Sequence, residues 1–130
     1  MDTRTKILDP AGALEVARRL RSEAGRLKVV VGHFDPVLAA HARRISGLSD
    51  GAAAMMVLLT DPGRPILAAR ARAELVAALA SVDYVVLPGD TPVEELLAGL
   101  APAEAVNAEA DDRRIAQDLI QHVQSRQNAV

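Results

Sequence analysis

The chain has no cysteine, no tryptophan, one phenylalanine, one tyrosine and only two lysines, Lys6 and Lys28. Without cysteine there is no disulfide, no thiolate nucleophile and no cysteine-based metal site. Without aromatic platforms or a basic patch, binding to single-stranded nucleic acid has nothing to stack on. A formal charge of −2 gives no general attraction to nucleic acid or to an anionic membrane. No apolar run is long enough to span a bilayer, and the N-terminus lacks the apolar segment of a secretory signal. The expected location is therefore the cytoplasm. The G-x-S-x-G elbow, the G-x-x-x-x-G-K-[ST] loop and the G-x-G-x-x-G fingerprint are also missing, which removes three common catalytic or nucleotide-binding designs.

What is present points to one globular domain over residues 1–130. Half of the residues are apolar and a quarter charged, and the length suits a single core. The positive charge is nearly all arginine, a residue suited to forked contacts with phosphate or carboxylate, although composition alone is the simpler explanation. Residues 1–9 are polar and read as an extended or frayed arm. Asp9-Pro10 opens a helix to about Arg26, with Asp9 as N-cap, Pro10 at the first helical position and Gly25 placed to close it. A strand at Val29–Val31 follows, then a helix carrying Leu38, Ala42 and Ile45 on one face. The run Ala53–Thr60 suits a strand buried on both faces, with Met55 and Met56 as core filler. Beyond the Asp61–Pro65 turn come a helix over about Leu67–Ala80, a strand at Asp83–Leu87 and a short helix to Leu100. Thr91 and Glu94 have the spacing of a capping box at the start of that short helix. Glu104–Ala108 reads as a short strand, and a last helix from Asp111-Asp112 carries Ile115, Leu119, Ile120 and Val123. This alternation predicts an α/β fold, a parallel sheet with right-handed crossovers and helices on both faces.

The stretch Leu27–Ile45 is the focus of the chain. A strand that ends in the turn Gly32-His33-Phe34-Asp35-Pro36 and feeds a helix is a standard place for phosphate, because free amides and the helix dipole point at the ligand. Taken on its own residues, His41 is either a phosphate contact or a helix-surface or packing histidine. His33 reads as exposed, Asp35 as a cap for the helix that follows, and Phe34 as a core anchor. Arg64 and Arg72 could meet a phosphate, or be paired or solvated. His122 has no partner at metal-ligand spacing, and no metal site is expected.

The segment Gly32-His33-Phe34-Asp35-Pro36-Val37-Leu38-Ala39-Ala40-His41 resembles the G-x-F-D-x-x-H-x-G-H signature of the cytidylyltransferase-like nucleotidyltransferases. Most closely it resembles the adenylyltransferase domain that makes ADP-heptose from heptose 1-phosphate. The likeness extends from Lys6 to about Leu100, through the Gly63-Arg64-Pro65 turn, Arg72-Ala73-Glu74, Val82–Val86 and Asp90-Thr91-Pro92. It implies a three-layer α/β/α sandwich with a Rossmann-like parallel sheet, and a homodimer. It implies a nucleotide site at Gly32, His33, Phe34, Asp35 and His41, with His41 as the catalytic residue. Arg64 and Arg72 would hold substrate, and Mg²⁺ would assist if the protein is active.

Several positions depart from the pattern. The first motif histidine is Leu38 and the motif glycine is Ala40, and no lysine follows Lys28. The family's lysine- and glycine-bearing stretch corresponds to Val106–Glu109, and its Ser/Thr-rich turn is replaced by Asp111-Asp112, which would repel a triphosphate. In the family the two histidines stabilise the leaving pyrophosphate; losing one such donor costs about a hundredfold or more in rate. Two readings follow. One is a degenerate, non-catalytic nucleotide-binding or protein-interaction module. The other is an active enzyme that transfers AMP or CMP from ATP or CTP to a sugar or alcohol phosphate.

Overall fold

A computed structural model describes residues 2–128. A 3-10 turn (Thr3–Lys6) leads into β1 (Ile7–Leu8) and α1 (Pro10–Ser22), followed by β2 (Leu27–Gly32), α2 (Ala39–Leu48), β3 (Ala54–Leu59) and α3 (Ala69–Ala77). The chain continues through β4 (Tyr84–Val86), α4 (Val93–Leu100), β5 (Glu104–Asn107) and α5 (Glu109–Asn128). The strands form one parallel sheet in the order β1-β4-β3-β2-β5.

Side chains alternate across the central strands, so each face of the sheet receives its own core. Val29, Val31, Met56 and Leu58 pack with Ala13, Val16, Ala17 and Leu20 of α1 and with Leu96 and Leu100 of α4. Val30, Met55, Val57 and Leu59 pack on the other side with Ile45 of α2 and with Ala73, Val76 and Ala77 of α3. All six residues of β3 are buried, which is why that strand reads as an unbroken apolar run. The result is the expected three-layer α/β/α sandwich with a Rossmann-like sheet. No helix among the described residues is long and apolar enough to cross a membrane.

The structure changes several details. The leading segment is not a frayed arm, because Ile7 and Leu8 pair with Val85 and Val86 as an edge strand. Two residues are too short a run to show periodicity. Asp9 caps α1 as expected, accepting from the Gly12 amide at 2.7 Å. The helix, however, stops at Ser22. Ala24 takes the left-handed conformation (φ 56°), and Gly25 donates back to the Leu20 carbonyl at 2.7 Å. The capping box does not form. Thr91 donates its amide to the Pro88 carbonyl and belongs to the turn, so α4 starts one residue later than expected, behind Pro92.

The chain order runs β2, β3, β4 in one direction, while β5 lies on the opposite side of β2. In open parallel sheets, the crevice at the carboxyl ends of the strands on either side of such a reversal is where ligands bind. Here that crevice lies between Gly32 at the end of β2 and Asn107 at the end of β5.

Candidate functional site

Gly32 closes β2 at a point where no side chain fits. A Cβ there would collide with the Asp112 carboxylate and would lie 2.8 Å from the Phe34 ring. Phe34 itself adopts a left-handed backbone (φ 48°), uncommon for a bulky residue and concentrated at functional turns. With this geometry the amides of His33 and Phe34 face the same point, as in an anion-binding nest.

An anion stands at that point, and it comes from the protein. The Asp112 side chain is fully buried, and its Oδ2 accepts from the amides of His33 (2.7 Å) and Phe34 (3.3 Å). Its Oδ1 accepts from His41 Nε2 (3.0 Å) and from the Arg44 guanidinium (3.1 Å). His41 Nδ1 accepts the Leu38 amide at 2.9 Å, so the imidazole proton lies on Nε2 and is directed at Asp112. His41 thereby does the capping of α2 that Leu38 cannot do with its own side chain. Arg44 also lies 5.3 Å over the Phe34 ring, within cation–π range.

Burial alone would push the Asp112 carboxyl up, but the His41 hydrogen bond and the Arg44 charge outweigh it and hold it below its ordinary value. Glu109 behaves alike: burial raises it, while hydrogen bonds from Thr60 and Asn107 together with the charges of His33 and Arg113 bring it below its ordinary value. A carboxylate depressed in the folded state stabilises the fold above its unfolded pKa. That contribution disappears as pH falls through the folded value. Acid titration followed by circular dichroism is therefore expected to show stability falling below the ordinary Asp and Glu values of 3.8 and 4.5. Asp112→Asn should flatten the lower part of that slope.

The remaining residues singled out by sequence separate into two groups. Gly32, His33, Phe34 and His41 do meet at one place, and Phe34 is the buried anchor expected. His33 is not exposed. It is 4% accessible, its Nδ1 faces the Thr60 carbonyl (3.2 Å) and hydroxyl (3.0 Å), and Arg113 approaches its Nε2 at 3.5 Å. Asp35 does not cap the helix that follows it. Its carboxylate turns away to accept the amides of Ile66 (2.5 Å) and Leu67 (2.8 Å), pinning the loop before α3. Arg72 is fully buried and cannot hold a substrate from solution. Its guanidinium bonds the carbonyls of His33 (2.9 Å), Thr60 (3.0 Å) and Leu67 (3.0 Å) and pairs with Asp61. Arg64 is exposed, as is His122.

Both lysines are committed to structure: Lys6 donates to the Val82 carbonyl (2.7 Å), and Lys28 to those of Leu48 (3.0 Å) and Asp50 (2.6 Å). Among the described residues no three His, Asp or Glu side chains converge as metal ligands. Asp112, the carboxylate nearest the cradle, already has four donors, so the residues present do not build a site for Mg²⁺. No family model matches the chain, and no curated protein is a significant match to it.

Sequence reasoning missed Arg44 and the role of Asp112. Arg44 could have been found from its place three residues after His41, on the same helical face. Asp112 reads as a repulsive charge until the sheet order brings the start of α5 against the end of β2.

Proposed function

We propose that this chain is a non-catalytic cytidylyltransferase-like module in which Asp112 takes the place a ligand phosphate would have. The observation that supports this reading most is the convergence of two turn amides, His41 and Arg44 on a carboxylate of the same chain. A nucleotide would have to displace a tethered competitor, whose effective concentration is on the order of millimolar or more. The Leu38 and Ala40 departures and the commitment of both lysines agree with this reading. On it, the protein works by presenting a folded surface, as a cytoplasmic homodimer.

One observation favours the enzyme reading instead. Every donor of the cradle is intact, and Asp112 is the only fully buried residue among those described in α5, so few apolar contacts hold the helix against displacement. In that case His41 and the turn amides would receive the phosphates and Arg64 would be the arginine left to meet an acceptor. Calorimetric titration with ATP and CTP, with and without Mg²⁺, separates the two. The module reading expects no saturable heat at millimolar nucleotide. Micromolar binding that disappears in His41→Ala, together with pyrophosphate release when a sugar phosphate is added, would overturn it.

A further inference from the structure

A second opening lies beside the cradle, between the 62–66 turn and the exposed side of α5. Its volume is about 260 Å³, and its walls are Pro62, Arg64, Ile66, Arg113, Ala116 and Ile120. Two independent features meet there. Ile66 and Ile120 are 51% and 44% exposed, among the most exposed large apolar side chains of the described chain, and both line this one groove. Arg64 and Arg113 line it too, and neither forms an ion pair among the described residues.

Asp35 and Asp112 also border the groove, and they offset the arginines only in part. Asp35 is engaged by the amides of Ile66 and Leu67, and Asp112 is matched by Arg44 and three further donors. The lining keeps a positive balance from two guanidinium groups, which are weakly hydrated and fork-shaped for carboxylate or phosphate, although Arg113 also lies near enough to Glu109 to help hold that carboxyl low. Beside the arginines the walls offer the carbon surface of Pro62, Ile66, Ala116 and Ile120 and one neutral polar side chain, Gln117.

We propose that this groove is a binding site for a small organic anion, with its acidic group between Arg64 and Arg113 and its carbon body on Ile66 and Ile120. Pockets for drug-sized ligands start at about 300 Å³, so the ligand is smaller than a nucleotide. The site differs from the cradle, whose donors are backbone amides, His41 and Arg44. Because α5 and Asp112 form one wall of the groove, the proposal rests on the reading in which Asp112 fills the cradle.

The test is amide NMR of the full chain titrated with benzoate and, separately, with phenyl phosphate, using neutral benzyl alcohol as a control. Saturable shifts centred on residues 62–66 and 113–120, with a smaller one at His33 beside Arg113, are expected for the anions, and none for the alcohol. The benzoate and phosphate arms distinguish a carboxylate ligand from a phosphate monoester. Arg64→Gln with Arg113→Gln should keep the wild-type spectrum elsewhere except around His33, whose Nε2 Arg113 approaches at 3.5 Å, and near Glu109, while weakening binding by about tenfold or more, as expected for loss of two charge-assisted contacts. Absence of saturable shifts at millimolar anion, equal binding of the alcohol, or unchanged affinity in the double variant would each overturn the proposal. Shifts centred on Phe34 and His41 would also overturn it, because they would place the anion in the cradle.

Discussion

Replacing Asp112 with alanine is expected to destabilise the fold strongly and, at the same time, to create an anion site. The substitution leaves two turn amides, the His41 Nε2 proton and the Arg44 guanidinium facing one another without an acceptor. Removing one partner of a buried charge pair typically costs about 3–5 kcal/mol. Arg44 retains 20% side-chain exposure, so water reaches part of the gap and the lower end applies. At roughly 4 °C per kcal/mol for a domain of this size, the melting temperature should fall by about 12 °C. Pyrophosphate should then restore much of the loss, because a ligand at a hundredfold excess over its Kd adds about 2.7 kcal/mol. The wild-type protein should show no such shift, since its own carboxylate holds the site. A thermal melt of both proteins with and without pyrophosphate decides the matter. Destabilisation without rescue would mean that the cradle is a structural junction only, and an unchanged melting temperature would mean that Asp112 does not anchor α5.

The second large effect is expected at Arg72. Its side chain joins the ends of β2 and β3 to the start of α3 through three carbonyls, and no solvent reaches it. Arg72→Met keeps the carbon volume, leaves the His33 and Leu67 carbonyls without the Arg72 donor and the Thr60 carbonyl with only His33 Nδ1 beside it, at about 1–3 kcal/mol for each group left unpaired. A loss of about 3–5 kcal/mol is a large share of the 5–15 kcal/mol typical of a whole domain. Urea denaturation should therefore show a much lower midpoint with an unchanged m value. Arg72→Lys should recover little, because one ammonium cannot span three carbonyls and a carboxylate. Asp61→Asn is the informative control. The Asp61 side chain is 72% exposed, so its pair with Arg72 is worth about 1 kcal/mol or less. If Asp61→Asn were as damaging as Arg72→Met, the ion pair and not the carbonyl bonds would be holding the strands together.

The two variants separate what the same turn does. Arg72 binds the His33 carbonyl from one side and Asp112 binds the His33 amide from the other. The loop is thus fixed through its backbone, and the side chains of His33 and Phe34 are consequences of that fixing. This explains why a motif that reads as ligand-binding contains residues that point inward: His33 towards Thr60, Asp35 towards the loop before α3, and His41 towards Asp112.

Patterns short in sequence were readable directly. The unbroken apolar run of β3, the Asp9-Pro10 start of α1 and the strand–turn–helix around Gly32 depend on neighbours a few residues apart, and they appear in the structure close to where periodicity puts them. From these alone follow the parallel α/β class and the location of the candidate site at the end of β2. Other features are set by residues far apart in the chain. Asp112 lies 71 positions from His41, Arg72 lies 39 from His33, and Asp35 lies 31 and 32 from the amides it accepts. A buried charge takes whichever partner the fold brings within hydrogen-bond reach, because leaving it unpaired costs more than any local preference offers. The amino-acid order therefore determined which segments are strands and helices and where an anion could sit. The reversal of strand order that sets β5 beside β2 decided that the anion is Asp112.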